Sequence, residues 1–285
     1  MMVMSHTTPQ SNDTKAMDMA TFGKLRSLIY DKCGITLRDT KRTMLSARIR
    51  KRLRSLKLAD FPEYLDYLLT NAPEEEWVQL INVVSTNVTA FFREPHHFEQ
   101  LQTMVRQWAG EGQRRMRFWS AASSSGQEPY TMAITIRRAL TAVGAHNVDA
   151  KILATDISTK MLSICKLGQY RADALEPIPT DERSRYFTLD RSTGMYQVSP
   201  NLRQMIHFAR LNLSQPPYVM KGPLDVVFCR NVMIYFDNHV RGMIVEQVLR
   251  LLKPGGLLMV GHAESIQGMY LKHFHRIGAS MYQRK

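Results

Sequence analysis

The chain has only three cysteines, Cys33, Cys165 and Cys229, in 285 residues. They are odd in number, far apart and without CxxC spacing, which argues against a disulfide framework and against a cysteine-based zinc site. No apolar run approaches the roughly 20 residues of a bilayer-spanning helix. The first sixteen residues lack the apolar core of a signal peptide and read as a disordered tail, residues 1–16. No internal repeat, low-complexity tract or GxGxxG fingerprint occurs. Acids are absent from one stretch: Lys41 to Lys57 holds eight Lys and Arg and no Asp or Glu. Against a net charge of +13, that run makes the basicity local and points either to a solvated helix face or to an anionic partner. The reading is a cytoplasmic protein with no segment inserted in a membrane.

What is present is 44% apolar, enough for one ordinary domain and a small companion. From Met17 to Val88 the apolar spacing is helical, with breaks at Gly34, Pro62 and Pro73, so residues 17–88 are expected to form an all-helical domain. Leu45, Ile49, Leu53 and Leu56 fall on one stripe, while Arg50, Lys51, Arg54 and Lys57 lie opposite. The stripe should pack inward and leave the basic face free. Pro73 followed by Glu74, Glu75 and Glu76 reads as a helix start, with Pro73 at the first helical position and the acids at the positive end of the dipole. Ser85 to Pro95, STNVTAFFREP, reads as an inter-domain junction, and residues 89–108 as linker and connecting helix.

Beyond Gly110 short β-type runs alternate with amphipathic helices, the pattern of a parallel α/β sheet over residues 109–285. Strands are expected at Met116–Ser120, Lys151–Asp156, Leu224–Cys229, Leu257–Gly261 and Ala279–Gln283. Helices are expected at Pro129–Leu140, at Ser158–Lys166 with Ser158 as N-cap, and at His239–Leu252, with Leu252 to Gly256 as a tight turn. The alternation is interrupted over about 172–208. There two β-like runs, Arg185–Leu189 and Met195–Val198, joined by a turn at Asp190–Gly194, suggest an inserted β-subdomain.

Three places invite chemistry. The run Ser120 to Pro129 is built of small residues and Gly126 where a strand meets a helix, which allows close approach of a ligand but also suits a purely structural turn. Asp156 ends the second strand, where a carboxylate can accept from ribose hydroxyls or cap a helix. Arg230, Asn231 and Tyr235 follow a wholly apolar strand. Adjacent His96 and His97 cannot converge on one metal ion, and no metal site is expected. Cys229 reads as a buried strand thiol.

NVTAFFRE at Asn87–Glu94, WSAASSSGQEPY at Trp119–Tyr130 and FCRNVMIYF at Phe228–Phe236 resemble, in order, motifs of the bacterial chemoreceptor glutamate methyltransferases, the CheR family. The resemblance runs from about Met17 to Gln283. It implies a class I S-adenosylmethionine-dependent methyltransferase, a Rossmann-like sheet with a β-subdomain insertion behind a helical domain. The implied reaction moves a methyl group from S-adenosylmethionine to glutamate carboxylates in the cytoplasmic domain of methyl-accepting chemoreceptors, leaving S-adenosylhomocysteine. By the same resemblance Asn87, Thr89, Arg93, Glu128, Asp156, Asn212, Leu213, Arg230 and Asn231 would bind the cofactor, with Arg93 and Tyr235 nearest the transferred methyl. Two alternatives stay open: Arg93 pairing with Glu94 or Glu128, and Tyr235 as a packed aromatic. Arg50, Lys51, Arg54 and Lys57 are candidates for receptor docking. Gln127 stands where a second acid often precedes the glutamate. The short turn Asp190–Gly194 argues against dependence on a receptor pentapeptide tether. Nucleic acid is not an expected partner, since no Asn/Asp-Pro-Pro-Tyr motif follows the fourth strand, and a monomer is expected.

Overall fold

The computed structural model describes residues 16–285; the expected tail lies outside these residues except for Ala16. Four helices come first: α1 (Met19–Cys33), α2 (Arg42–Leu56), α3 (Phe61–Thr70) and α4 (Glu74–Val84). Asp18 and Asp60 start α1 and α3 by accepting from the backbone N–H of Thr21 and Glu63, each at 2.9 Å. Leu45, Ile49 and Leu53 are buried in one core with Phe22 and Tyr64, as the helical stripe requires. Pro73 departs from expectation. It is extended (φ −69°, ψ 164°) and serves as the N-cap, so α4 begins at Glu74.

The basic run is also less free than its pattern suggests. Arg48 donates to the carbonyls of Val83, Val84 and Ser85, closing the negative end of α4. Arg52 makes a two-pronged bond to Glu76, Nε to Oε1 at 3.0 Å and Nη2 to Oε2 at 2.5 Å, and Tyr64 donates to the same carboxylate at 2.7 Å. Glu76 is therefore a buried acid, not a dipole acid facing water. Arg50 is half-buried with its guanidinium 5.7 Å from the Phe61 ring centroid. Lys51, Arg54 and Lys57 remain exposed.

A linker over 85–95 leads into α5 (His96–Gly110), then the chain alternates. The large sheet comprises β1 (Arg115–Ala121), β2 (Asp149–Asp156), β6 (Ile206–Arg210), β7 (Leu224–Cys229), β8 (Leu252–Val260), β9 (Phe274–Gly278) and β10 (Met281–Arg284). Their spatial order is β6-β2-β1-β7-β8-β10-β9, all parallel except β10. Successive residues alternate between two cores: Met116 and Phe118 face one layer with α5 and α6 (Gln127–Ala142), while Trp119 and Ala121 face the other with α10 (Asn238–Leu251). Between β2 and the next strand, α7 (Thr159–Leu167) starts at Ser158, whose hydroxyl accepts from Met161 N–H at 3.2 Å. The order reverses at β1, so a crevice opens at the carboxyl ends of β1, β2 and β7.

The insertion differs in its edges. Arg185 and Tyr186 belong to α8 (Thr180–Tyr186), and the hairpin strands are β4 (Phe187–Asp190) and β5 (Met195–Val198). β5 also pairs with β3 (Gln169–Tyr170), so the small sheet reaches back before residue 172. At its other end, Ile206 to Phe208 pair with β2 in the large sheet and do not belong to the insertion. A four-residue helix, α9 (Pro200–Arg203), joins the two. Lys253 to Gly256 fall within the bounds of β8 but have no partner on β7: the ladder jumps from Leu224–Leu252 to Val226–Leu257, and Gly255 takes φ +74°, so the expected turn is a short excursion inside the strand. The C-terminal β run is the second strand of a hairpin whose first strand, β9, carries mixed polarity at a sheet edge.

The Arg52–Glu76–Tyr64 cluster gives a first test. Glu76→Ala should cost about 2–3 kcal/mol, somewhat under the roughly 3–5 kcal/mol for breaking a fully buried pair, because Arg52 keeps some contact with water. A denaturant midpoint unchanged from wild type would show that this cluster does not hold the helical domain.

Candidate active site

At the crevice lies a cavity of about 380 Å³, within the roughly 300–1,000 Å³ common for small-molecule sites. Every candidate cofactor residue lines it, as does Tyr235. The segments arrive from both domains. Leu37, Lys41 and Met44 come from the end of α1 onward into α2; Asn87, Thr89 and Arg93 from the linker; Asp156 from the end of β2, Glu128 from the first turn of α6, and Leu213 and Arg230 from the loops after β6 and β7.

The domains are pinned where they meet. Tyr30 donates to Asp237 at 2.6 Å, Thr36 N–H to the Tyr235 carbonyl at 2.8 Å, and Ser158 Oγ to Asn82 Oδ1 at 2.7 Å. Gly34 closes α1 at φ +70°, and a Cβ there would fall 2.5 Å from Ser214 Cβ. Asn212 spends its side chain on this seam, donating to the Lys32 carbonyl at 2.9 Å and accepting from Ser214.

Around the floor the backbone is strained. Ala122, Ser124 and Asn231, with Phe92 and Glu94 in the linker, all have φ between 50° and 64°. Non-glycine residues in that region cost of order 1–3 kcal/mol each, and such costs concentrate at functional sites. Gly126 begins α6 at φ +101°, and a Cβ there would lie 2.6 Å from both Cys165 Sγ and Tyr170 Oη. Glycine is thus needed by shape as well as torsion. Asp156 holds the loop in place: its two oxygens accept from Ser158 N–H at 2.8 Å and Ser124 N–H at 2.9 Å.

Arg230 organises the rest. Its side chain is 1% exposed and lies 3.1 Å from both Glu128 and Glu94, and it also donates to the Arg93 carbonyl. The open pairing question is answered by this: Arg230, not Arg93, meets Glu94 and Glu128. Arg93 is exposed and donates to the Val88 carbonyl at 2.9 Å. Tyr235 lies in a short 3-10 turn, half-buried, and its hydroxyl has no hydrogen-bond partner among the described residues.

Comparison with known proteins agrees with this layout. The family model described as "CheR methyltransferase, all-alpha domain" matches residues 20–85, and "CheR methyltransferase, SAM binding domain" matches residues 87–282. The chain belongs to the CheR methyltransferase family. It is 42% identical over 261 residues to the chemotaxis protein methyltransferase of Escherichia coli (strain K12), covering 90% of this chain and 88% of that one. Identity is 40% to the chemotaxis protein methyltransferase of Salmonella typhimurium, over 96% and 93% of the two chains. It is 37% to chemotaxis protein methyltransferase 2 of Pseudomonas aeruginosa, over 92% and 91%. The enzyme is therefore an S-adenosylmethionine-dependent methyltransferase.

The electrostatics follow from burial. Burial raises the pKa of Glu128, and the Arg230 charge and Ser120 hydroxyl only partly oppose it. Burial likewise raises Asp156 against the N–H groups of Ser158 and Ser124. For Glu94 burial also acts upward, but Arg230, Asn231 and the His262 N–H together hold its pKa below the ordinary value. His97, enclosed behind Arg230, is pushed down to about 3 by burial and by that positive charge, so it is neutral. Cys229 is 1% exposed, and burial with nearby Glu264 and Glu128 keeps its thiol protonated.

Two site acids escaped the sequence reading. Glu94 stood inside a motif but was weighed only as a partner for Arg93. Glu264 accepts from the N–H of Asn231 at 2.8 Å and of Ile234 at 3.2 Å, and from Gly261, so it fixes the loop after β7. An acid just after the apolar strand β8 was the signal, the same one that marked Asp156.

Removing the central cation should expose its role. Arg230→Gln should cost about 3–5 kcal/mol near neutral pH, because two largely enclosed carboxylates, 13% and 15% exposed, lose their buried partner. Their folded pKa values then lie above the unfolded ones, so the destabilisation grows as pH rises through them. In the wild type the depressed Glu94 contributes stability above the unfolded carboxylate pKa and loses it as pH falls. The gap between the proteins should therefore narrow in mild acid; a gap constant with pH would refute the assignment.

Proposed function

We propose that the enzyme transfers the methyl group of S-adenosylmethionine to glutamate side-chain carboxylates in the cytoplasmic domain of chemoreceptors, forming 5-O-methyl esters. The supporting observation is how charge is sorted along the cavity. Of its acids, Asp156 is buried and Glu128 is only 13% exposed at its side chain, with Glu94 behind Arg230, whereas the exposed charged residues lining it are cations, Lys41 and Arg93. An acidic interior suits a cationic ligand, and a cationic mouth suits an anionic acceptor. The relatives' printed names, chemotaxis protein methyltransferase, supply the receptor class.

The residues fit the cofactor. Along the cavity wall two carboxylates, Glu128 and Asp156, face one buried arginine, Arg230; Gly126 and the serine loop leave room, and each Asp156 oxygen keeps a lone pair beyond its backbone bond. Glu128, Asp156, Arg230 and Asn231, with Asn87, Thr89, Arg93, Asn212 and Leu213, would hold it. S-adenosylmethionine supplies an electrophilic methyl group on a cationic sulfonium. A glutamate acceptor is already ionised at neutral pH, so the protein needs no general base. Its task is placement and exclusion of water. Arg93 can orient the acceptor by a charge-assisted bond, and Tyr235 offers an unused hydroxyl on the same cavity wall.

Helix α2 begins at the mouth, where Met44 lines the cavity. At 1.5 Å per residue, exposed Lys51, Arg54 and Lys57 lie about 10–20 Å along it, a strip suited to an acidic helical receptor surface, with Arg50 at its inner margin. The hairpin turn is self-contained. Asp190 accepts from Ser192 N–H at 2.9 Å and Thr193 Oγ1 at 2.9 Å, which leaves a compact tip and supports action without a receptor tether. A cytoplasmic monomer is the form we infer.

Chemoreceptor membranes incubated with the enzyme and methyl-labelled S-adenosylmethionine should gain label that mild base releases as methanol. Label stable to base would exclude a carboxyl ester. With the same assay, Arg93→Ala and Tyr235→Phe should lower kcat by more than they weaken cofactor affinity; equal losses would make both cofactor contacts only.

A further inference from the structure

On the opposite edge of the large sheet lies a second, larger groove of about 1020 Å³. The amino ends of β1, β2, β7 and β8 bring Arg115, Lys151, Leu224 and Lys253 to it, so the whole sheet separates it from the methyl-transfer cavity. Arg114, Arg115, Arg117, Lys151, Lys221 and Lys253 line it, with one lining carboxylate, Asp225. That carboxylate is saturated. Lys253 lies 2.6 Å away, Gln113 donates at 2.7 Å and Arg117 N–H at 2.6 Å. Arg117 pairs with Asp149 beside the groove at 2.5 Å. Six cations against two carboxylates leave an excess of four. The side chains of Arg114 and Lys151 donate only to the neutral carbonyls of Ala109 and Gln204, and the exposed side chains of Arg115 and Lys221 make no hydrogen bond among the described residues. Asp149 is the one acid whose charge Lys151 and Arg115 share with Arg117. The groove also has aliphatic surface at half-buried Leu153 and Met220, and Val219 beside it is 95% exposed.

We propose that this groove is a second interaction surface, for an acidic peptide segment that also carries aliphatic side chains. The uncompensated cations provide the charge complement, and the aliphatic patch favours such a segment over a bare phosphate, which would leave that patch in water. Binding there does not compete with the cofactor, since the two sites lie at opposite strand ends.

A short fluorescent peptide of alternating Glu and Leu, followed by anisotropy, tests this on the full-length protein. Arg115→Glu with Lys221→Glu should weaken binding about tenfold or more, while Arg54→Glu with Lys57→Glu on α2 changes it less than about twofold. Excess S-adenosylhomocysteine should leave the peptide bound, and its own affinity for the double variant should match wild type, which also reports that the fold is intact. Met220→Ser should weaken the peptide further. Equal loss from both charge reversals, or displacement by S-adenosylhomocysteine, overturns the proposal. Tripolyphosphate that binds this groove more tightly than the peptide, with no response to Met220→Ser, overturns it in favour of a phosphate site.

Discussion

The site is built around one buried cation held between two carboxylates. Arg230 sits at the end of β7, Glu128 in the first turn of α6 and Glu94 in the inter-domain linker, so one guanidinium ties together three segments distant in sequence. Burying it is costly, and only good geometry with near-complete hydrogen bonding offsets that cost. The surrounding features read as the means of meeting this condition. Ser120 satisfies one Glu128 oxygen, Asn231 and His262 satisfy one Glu94 oxygen, and Arg230 binds the Arg93 carbonyl. The other Glu94 oxygen has the Arg230 ion pair but no hydrogen bond, and Arg230 Nε has no hydrogen-bond partner among the described residues. The left-handed turns at Phe92, Glu94 and Asn231 aim these groups inward at the expense of local strain.

From that constraint the two-domain cavity follows. Because Glu94 belongs to the linker, the linker is drawn over the sheet edge, and the helical domain comes with it. Arg48 holds the end of α4 where the linker begins, and Ser124 Oγ donates to the Asn87 carbonyl at 3.1 Å where it crosses the floor. The same basic run that marks the surface of α2 thus has an internal duty at Arg48 and Arg52. Charge count in a sequence does not distinguish a guanidinium in water from one that closes a helix end.

The architecture was legible because it rests on local signals. Period-2 and period-3.6 patterns, Ser158 as a cap and small residues before Gly126 each act within a few positions, and motif resemblance gathered the site residues that line one cavity. What stayed hidden depends on partners far along the chain. No local rule tells that Arg230 and not Arg93 meets Glu94, or that Glu76 turns inward to Arg52 and Tyr64. Nor does one tell that Asn212 is committed to the seam with α1. The edge strand β9 was missed for a related reason: His275, Arg276 and Ile277 are exposed in succession, on both faces, so hydrophobic alternation is weak. Pro254, Gly255 and Gly256 suggested a turn, and the stretch does leave the ladder: Leu252 pairs with Leu224 and Leu257 with Val226, so the four residues between them form an irregularity inside β8.

The central claim is that both domains enclose the ligand, with Arg230 as the tie between them. Amide hydrogen exchange with and without S-adenosylhomocysteine tests it most directly. The account predicts slowed exchange over 35–44 and 86–93 together with 122–126 and 230–236. Protection confined to the two sheet-edge loops, with the helical domain and linker unchanged, would contradict it.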